Sequence, residues 1–205
     1  MKPAFLEYLQ NHVVLADGAL GSYLYEKGVE RGHNLDLLNL QSSELVFSAH
    51  EEYIRAGSQL IETNTFGANH FKLREGGYED QVHEINRIGA EIASKAAGHQ
   101  VYVAGSVGPT GVQFPLDEGE VTVEEIQKAF RDQISGLVEG GVDLIMVETL
   151  SSLVEILLAI KAANDVAPDL PLIAQMVFPA RGMTVLGVDA LECGRKMSEA
   201  GADVV

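Results

Sequence analysis

Gly140-Gly141-Val142-Asp143-Leu144-Ile145-Met146-Val147-Glu148-Thr149 carries the pattern on which the fold turns. Glycines close a helix, an apolar run of strand character follows, and an acid and a hydroxyl stand where the strand gives way to a loop. The opening of this pattern recurs as Ala56-Gly57-Ser58-Gln59-Leu60-Ile61 and as Ala200-Gly201-Ala202-Asp203-Val204-Val205. The upstream copy also runs on into Glu62-Thr63, whereas the downstream copy ends at Val205. A strand from Asp203 to Val205 falls short of the roughly five or six residues common in strands. The chain is therefore read as stopping where a sixth strand begins. A five-stranded sheet with a ragged end fits the same residues.

Working outward, similar apolar runs occupy Val13–Ala16, Gln59–Glu62, Val101–Ala104, Asp143–Val147 and Leu172–Met176. Near-continuous apolar character is what parallel strands covered on both faces require. Amphipathic helices lie between them. Thr122 with Glu125 forms a capping-box signal ahead of Ile126, Phe130, Ile134 and Leu137, Ser152 with Glu155 repeats it, and Asp189 with Glu192 resembles it. Val82, Ile85, Ile88 and Ile92 keep helical spacing until Gly98. Strand then helix, repeated five times, predicts an α/β fold with a parallel sheet, of the (β/α)8 TIM-barrel type. The chain would hold about five βα units of it, as one domain over residues 1–205.

The composition fits a globular chain and narrows its partners. Hydrophobic residues make up 46% and charged residues 21% of 205, so a real core is expected rather than disorder. The formal charge of −16 repels polyphosphate and anionic lipid, which argues against nucleic-acid and membrane partners. The lone Cys193 forbids an internal disulfide and suits a reducing cytoplasm. It sits near Leu191 and Met197, as a packing residue would. Glu7 interrupts the start too early for a signal-peptide core, and no run approaches the roughly 20 apolar residues of a membrane span.

In barrels the chemistry gathers on the loops after the strands' C-terminal ends. Those loops begin Asp17-Gly18-Ala19-Leu20-Gly21-Ser22, Glu62-Thr63-Asn64-Thr65-Phe66-Gly67-Ala68-Asn69, Gly105-Ser106-Val107-Gly108-Pro109-Thr110-Gly111 and Glu148-Thr149. This rim offers acids, hydroxyls, amides and backbone N–H groups, with no lysine or arginine. It suits a small zwitterion: Asp17 or Glu148 for an ammonium, N–H groups near Gly18 and Ala19 for a carboxylate. Plainer roles stay open for each piece. Asp17 would cap a turn, Glu62 and Glu148 would pair with a base or bond backbone amides, and the glycines of 105–111 would serve a turn. His50-Glu51 and His83-Glu84 start like zincin helices, but Ile54 and Arg87 stand where the second histidine belongs.

Taken in order, Asp17-Gly18-Ala19-Leu20-Gly21, Leu37-Leu38-Asn39-Leu40, Ile61 to Asn69, Gly105 to Thr110 and Val147-Glu148-Thr149 resemble the homocysteine S-methyltransferase family. This is the barrel that also forms the first module of cobalamin-dependent methionine synthase. The resemblance runs from about Val13 to Val205, and its register also resembles the bacterial form fused to a methylenetetrahydrofolate reductase module. It implies methyl transfer to the thiol of homocysteine to give methionine, in one-carbon metabolism. The nucleophile would be a thiolate held by zinc on three cysteines, since a free thiol with a pKa of about 8.5 is mostly protonated at neutral pH. The resemblance assigns the polar end of the amino acid to Asp17, Gly18 and Ala19, its ammonium to Glu148, and the pocket wall to Thr63, Asn64, Thr65 and Phe66. The methyl donor would be a cobalamin- or folate-linked module, S-methylmethionine or betaine, betaine being the least suited.

The chain departs from the family's pattern at the metal. The zinc cysteines belong to a Gly-x-Asn-Cys motif after strand six and a Gly-Gly-Cys-Cys-Gly motif after strand eight, and Cys193 matches neither. No catalytic residue and no metal ligand is assigned to this chain, and by itself it is expected to be inactive. An unclosed sheet would also leave one face uncovered, with Ala104, Leu144 and Met146 less buried than their context intends. Two other readings remain: a non-catalytic half-barrel that binds an amino acid or assembles with a partner, and a different barrel enzyme that needs no zinc, such as a lyase.

Overall fold

The computed structural model describes residues 2–116, 121–179 and 181–205. Its longer elements are helices α1 (Phe5–Leu9), α2 (Leu20–Glu26), α3 (Leu38–Gln41) and α4 (Ser43–Ala56), strand β1 (Leu60–Glu62), and helices α5 (His70–Arg74) and α6 (Val82–Ala97). They continue as β2 (Tyr102–Val107), α7 (Val123–Glu139), β3 (Leu144–Leu150), α8 (Leu153–Val166), β4 (Leu172–Met176) and α9 (Ala190–Glu199). The strands pair in parallel in the order β1-β2-β3-β4, so each helical crossover returns the chain to the neighbouring position.

The threefold sequence echo has a common structural cause. Gly57, Gly141 and Gly201 all take positive φ, at 113°, 86° and 103°, which lets each helix end turn back into the sheet. Two residues later a side-chain oxygen accepts an N–H from the neighbouring strand position. Gln59 Oε1 takes Leu15 N–H at 3.1 Å, Asp143 Oδ2 takes Val103 N–H at 2.7 Å, and Asp203 Oδ2 takes Leu172 N–H at 2.9 Å. In return, the N–H groups of Gln59, Asp143 and Asp203 donate to the carbonyls of those same partners. The echo is a pairing device that fixes the register where each strand begins.

The first and last expected strands are reduced to single parallel bridges, Ala16 to Leu60 and Val204 to Ile173. Each borders an open edge, where pairing on one side leaves little to hold an extended run. Val13 and Leu15 are accordingly exposed, while Val14 packs inward. The sheet is open rather than closed.

The two faces of the sheet are covered differently. Ile61, Val103, Val107, Ile145 and Val147 point outward, against Ile126, Phe130, Ile134 and Leu137 of α7 and Ile156 and Ile160 of α8. The inner face carries Leu60, Tyr102, Ala104, Leu144, Met146 and Ile173. Here the expected exposure is overturned: Ala104, Leu144 and Met146 are buried. Helix α1 supplies the cover, with Phe5 meeting the Tyr102 ring edge-on at 5.2 Å and Leu6 and Leu9 beside it. Lys2 tethers this segment by donating to Val101 O at 2.6 Å and to Asp143 Oδ2 at 2.5 Å.

Helix capping follows the sequence with one exception. Thr122 and Glu125 form the reciprocal box, and Asp189 accepts the Glu192 N–H at 2.9 Å. Ser152 accepts the Glu155 N–H, but the Glu155 carboxylate turns away to take the N–H and hydroxyl of Thr110, at 2.8 and 2.6 Å. It anchors the loop after β2 rather than completing a box.

Candidate functional site

A cavity of about 720 Å³ opens where β1, β2 and β3 end, and it gathers all eight residues expected from the sequence: Asp17, Gly18, Ala19, Thr63, Asn64, Thr65, Phe66 and Glu148. Glu62, Ser106 and Asp36 share it. Lys72 lines it as well, from α5, so the expectation of a rim without lysine is corrected. The short loop between β1 and α5 brings α5 over the strand ends.

Side chains alternate across a strand, so Glu62, Ser106 and Glu148 share the inner face with the apolar residues two positions earlier. Asp17 joins them from the bridge after Ala16, where its Oδ2 accepts the Glu62 N–H at 3.1 Å. Glu148 Oε1 accepts the Ser106 hydroxyl at 2.6 Å, and Oε2 accepts the Thr149 hydroxyl at 3.3 Å. The β3–β4 register slips between Val147 and Leu150, and Thr149 takes φ of 62°, a left-handed conformation that costs a β-branched residue on the order of 1–3 kcal/mol. Glu148 lies within this irregular stretch.

Thr63, Asn64 and Thr65 are buried, and their polar groups are spent on holding the loop's shape. The Thr63 and Thr65 hydroxyls lie 2.6 Å apart, Thr63 Oγ1 accepts the Ser106 N–H at 3.0 Å, and Thr65 donates to Ser106 O at 2.8 Å. Asn64 donates to Leu35 O at 2.7 Å and to Asn39 Oδ1 at 3.1 Å. Buried amides clamp the loop's carbonyls from behind: Asn39 on Asn64 O, Gln133 on Thr65 O and Asn86 on Ala68 O. Gly108 N–H donates to Phe66 O at 3.0 Å, and a Cβ on Gly108 would lie 2.5 Å from that oxygen, so only glycine admits this approach. Phe66 is left with its ring partly exposed on the cavity wall.

Electrostatically the cavity is an acid trap. Burial, with Glu148 and Asp17 close by, pushes Glu62 up to about 9. Burial raises Asp17 to about 7 against the hydrogen bonds it accepts, with a small further push from Glu148. Burial also raises Asp36 to about 7, although its Oδ1 accepts the Gly67 N–H at 3.1 Å. Among the described residues no ion pair engages Asp17, Glu62 or Glu148. Such a cavity favours a small cation or the ammonium end of a zwitterion.

The chain's residues do not fit a thiolate zinc centre. Cys193, its single cysteine, is fully buried in α9 outside the cavity lining, and burial pushes its thiol up. Among the described residues no group of three or more His, Cys, Asp or Glu side chains is arranged to hold a metal.

Glu62 and Ser106 were visible as rim residues, but their contacts with Glu148 were not legible. Asp36 had no signal beyond its place beside Leu37-Leu38-Asn39-Leu40.

The chain matches the homocysteine S-methyltransferase family over residues 14–205. It is 28% identical over 218 aligned positions to a methionine synthase of Mycobacterium leprae, and equally to one of Mycobacterium tuberculosis, covering 98% of this chain in each case. It spans 18% of the length of those relatives. A homocysteine methyltransferase from Escherichia coli, MmuM, solved in a metallated form, superposes with a TM-score of 0.82 at 22% identity, over 97% of this chain and 75% of that one. Its oxidized form gives a TM-score of 0.81. This likeness establishes the barrel-type fold of the four-stranded parallel sheet. The chain belongs to the homocysteine S-methyltransferase family.

Proposed function

We propose that this chain forms the amino-acid-binding part of an enzyme that transfers a methyl group to the sulfur of homocysteine, giving methionine. The observation that carries the reading is the convergence of Asp17, Gly18, Ala19, Thr63, Asn64, Thr65, Phe66 and Glu148 on one acidic cavity at the strand ends. Glu148 takes the ligand's ammonium, the backbone at Gly18 and Ala19 faces its carboxylate, and Phe66 with the Thr63–Thr65 loop lines the side chain's path. The ammonium is thereby held in a partly desolvated site, where its pairing with a carboxylate is stronger than in water.

Zinc is implied by the family, but its thiolate ligands are not among these residues. The methyl donor, bound beyond this cavity, is a cobalamin- or folate-linked module or S-methylmethionine. The unpaired Cys193 suits a cytoplasmic setting, and no described helix is long and apolar enough to cross a membrane.

Calorimetric titration with L-homocysteine tests the reading. Glu148→Ala is expected to weaken binding by at least about tenfold, as loss of a charge-assisted contact worth roughly 1.5–3 kcal/mol would. Unchanged affinity would remove Glu148 from the ammonium role.

A further inference from the structure

The site holds more carboxyl groups than one ammonium needs. Glu62 and Glu148 lie within hydrogen-bond reach of each other in the same cavity, with Asp17 beside them. Their hydrogen bonds are unequal. Both oxygens of Glu148 accept hydroxyl protons, from Ser106 and Thr149, and Asp17 Oδ2 accepts a backbone N–H. Among the described residues the Glu62 carboxyl accepts no hydrogen bond from the protein, so it is the member of the pair with a proton to give.

Resting on the ammonium reading above, we propose that Glu62 is the proton carrier of the site: it shares a proton with Glu148 while the cavity is empty, and releases it to solvent when a ligand's ammonium enters.

Two carboxylates in contact cannot both ionise cheaply in a desolvated pocket. An ammonium between them supplies the missing positive charge, and the shared proton becomes redundant. The O–H bond of Glu62 breaks, its proton passes to solvent buffer, and the ammonium keeps all of its own. The other charged groups around the cavity are Asp17, Asp36, Lys72 and Glu75, with the Tyr53 hydroxyl near Asp17. Burial and Glu148 hold Glu62 protonated up to about 9, whereas Asp17, at about 7, is already mostly ionised in mildly alkaline buffer. The consequence is selectivity: a ligand without a cationic group meets a neutral Glu62 and displaces nothing.

The test is calorimetric titration of the full chain with L-homocysteine at pH about 7.5, in a chelator and in several buffers of different ionisation enthalpy. The thiol, with a pKa of about 8.5, stays largely protonated there. Plotting observed heat against buffer ionisation enthalpy counts the protons exchanged. About one proton released per ligand is expected, falling to near zero in Glu62→Gln, whose amide imitates the neutral carboxyl. Binding with no proton released overturns the inference and leaves the ammonium reading standing. Release that persists in Glu62→Gln also overturns it, by placing the carrier elsewhere. Absence of binding overturns both. The wild-type count decides without any variant, and Glu62→Ala serves the comparison if Glu62→Gln does not fold.

Discussion

The inner face of the sheet has two halves, built by the same strands only two residues apart. Toward the strand starts stand Leu60, Tyr102, Ala104, Leu144 and Met146, sealed by Phe5 of α1. Toward the strand ends stand Glu62, Ser106 and Glu148, around a cavity. Strand geometry keeps both halves on one face, so neither propensity nor pairing distinguishes them. Desolvation does. The apolar half gains from every ångström of buried surface, whereas the acid half loses by having carboxyl groups drawn from water without a cation. One half holds the fold together and the other keeps carboxyl groups together in a cavity with no ion pair among the described residues.

The largest effect should come from carrying the character of one half into the other. Leu144 is fully buried against both the neighbouring strands and the α1 cover. Leu144→Asp buries a carboxylate with no partner, and a loss beyond about 4 kcal/mol is expected, enough to abolish cooperative unfolding in urea. The opposite exchange, Glu148→Leu, is expected to leave the urea midpoint unchanged or raised. If Leu144→Asp unfolds at the wild-type midpoint, the apolar half is not the sealed core described above.

A pH series sharpens the comparison at intermediate size. Glu62, Asp17 and Asp36 all titrate above their ordinary range. A raised carboxyl in the folded chain holds a proton that the unfolded chain gives up, so its contribution is complete below about 4 and is lost as pH rises. Asp17 and Asp36 lose theirs by about 7, and Glu62 continues to about 9. The melting temperature should therefore fall from pH 7 to pH 9, and Glu62→Gln should flatten that slope. An unchanged slope in the variant would mean that Glu62 is already ionised in the folded chain.

The sequence made the outer architecture legible because its signals are local. The glycine at each helix end, the side-chain acceptor two residues later and the apolar run after it are contiguous, and each has a direct structural counterpart at Gly57, Gly141 and Gly201. The eight candidate residues were legible for the same reason, since a strand's C-terminal end is found by counting along the chain. Cover of the inner face by α1 was not, because Phe5 reaches Tyr102 across 97 positions and nothing near Phe5 names its partner. The contact of Glu62 with Glu148 is equally non-local. Glu155 misled the reading by sitting at a capping position while its carboxylate was claimed by Thr110. Val13–Ala16 misled it too, because a strand's sequence pattern does not reveal whether both neighbours are there to pair with it.

The smallest effect separates acid-site electrostatics from burial in general. His50, on α4, is fully buried, and among the described residues neither ring nitrogen has a hydrogen-bond partner. Burial lowers it from 6.5 to about 4, so it folds neutral. Here the sign reverses. The unfolded chain takes up a proton at His50 below about 6.5 while the folded chain resists until about 4, so stability is lost as pH falls through that window. Between pH 7.5 and pH 5 the loss attributable to His50 is about 2 kcal/mol, from roughly 1.4 kcal/mol for each pH unit crossed below the unfolded value. His50→Leu removes this loss, and its urea midpoint relative to wild type should rise as the pH is lowered from 7.5 to 5. Glu62→Gln, by contrast, should change the wild-type comparison chiefly between pH 7 and pH 9. Two variants with opposite pH windows would show that both are desolvation effects, read once through a base and once through an acid. If His50→Leu follows the wild-type curve throughout, the imidazole has found a partner or water that keeps its charged form accessible.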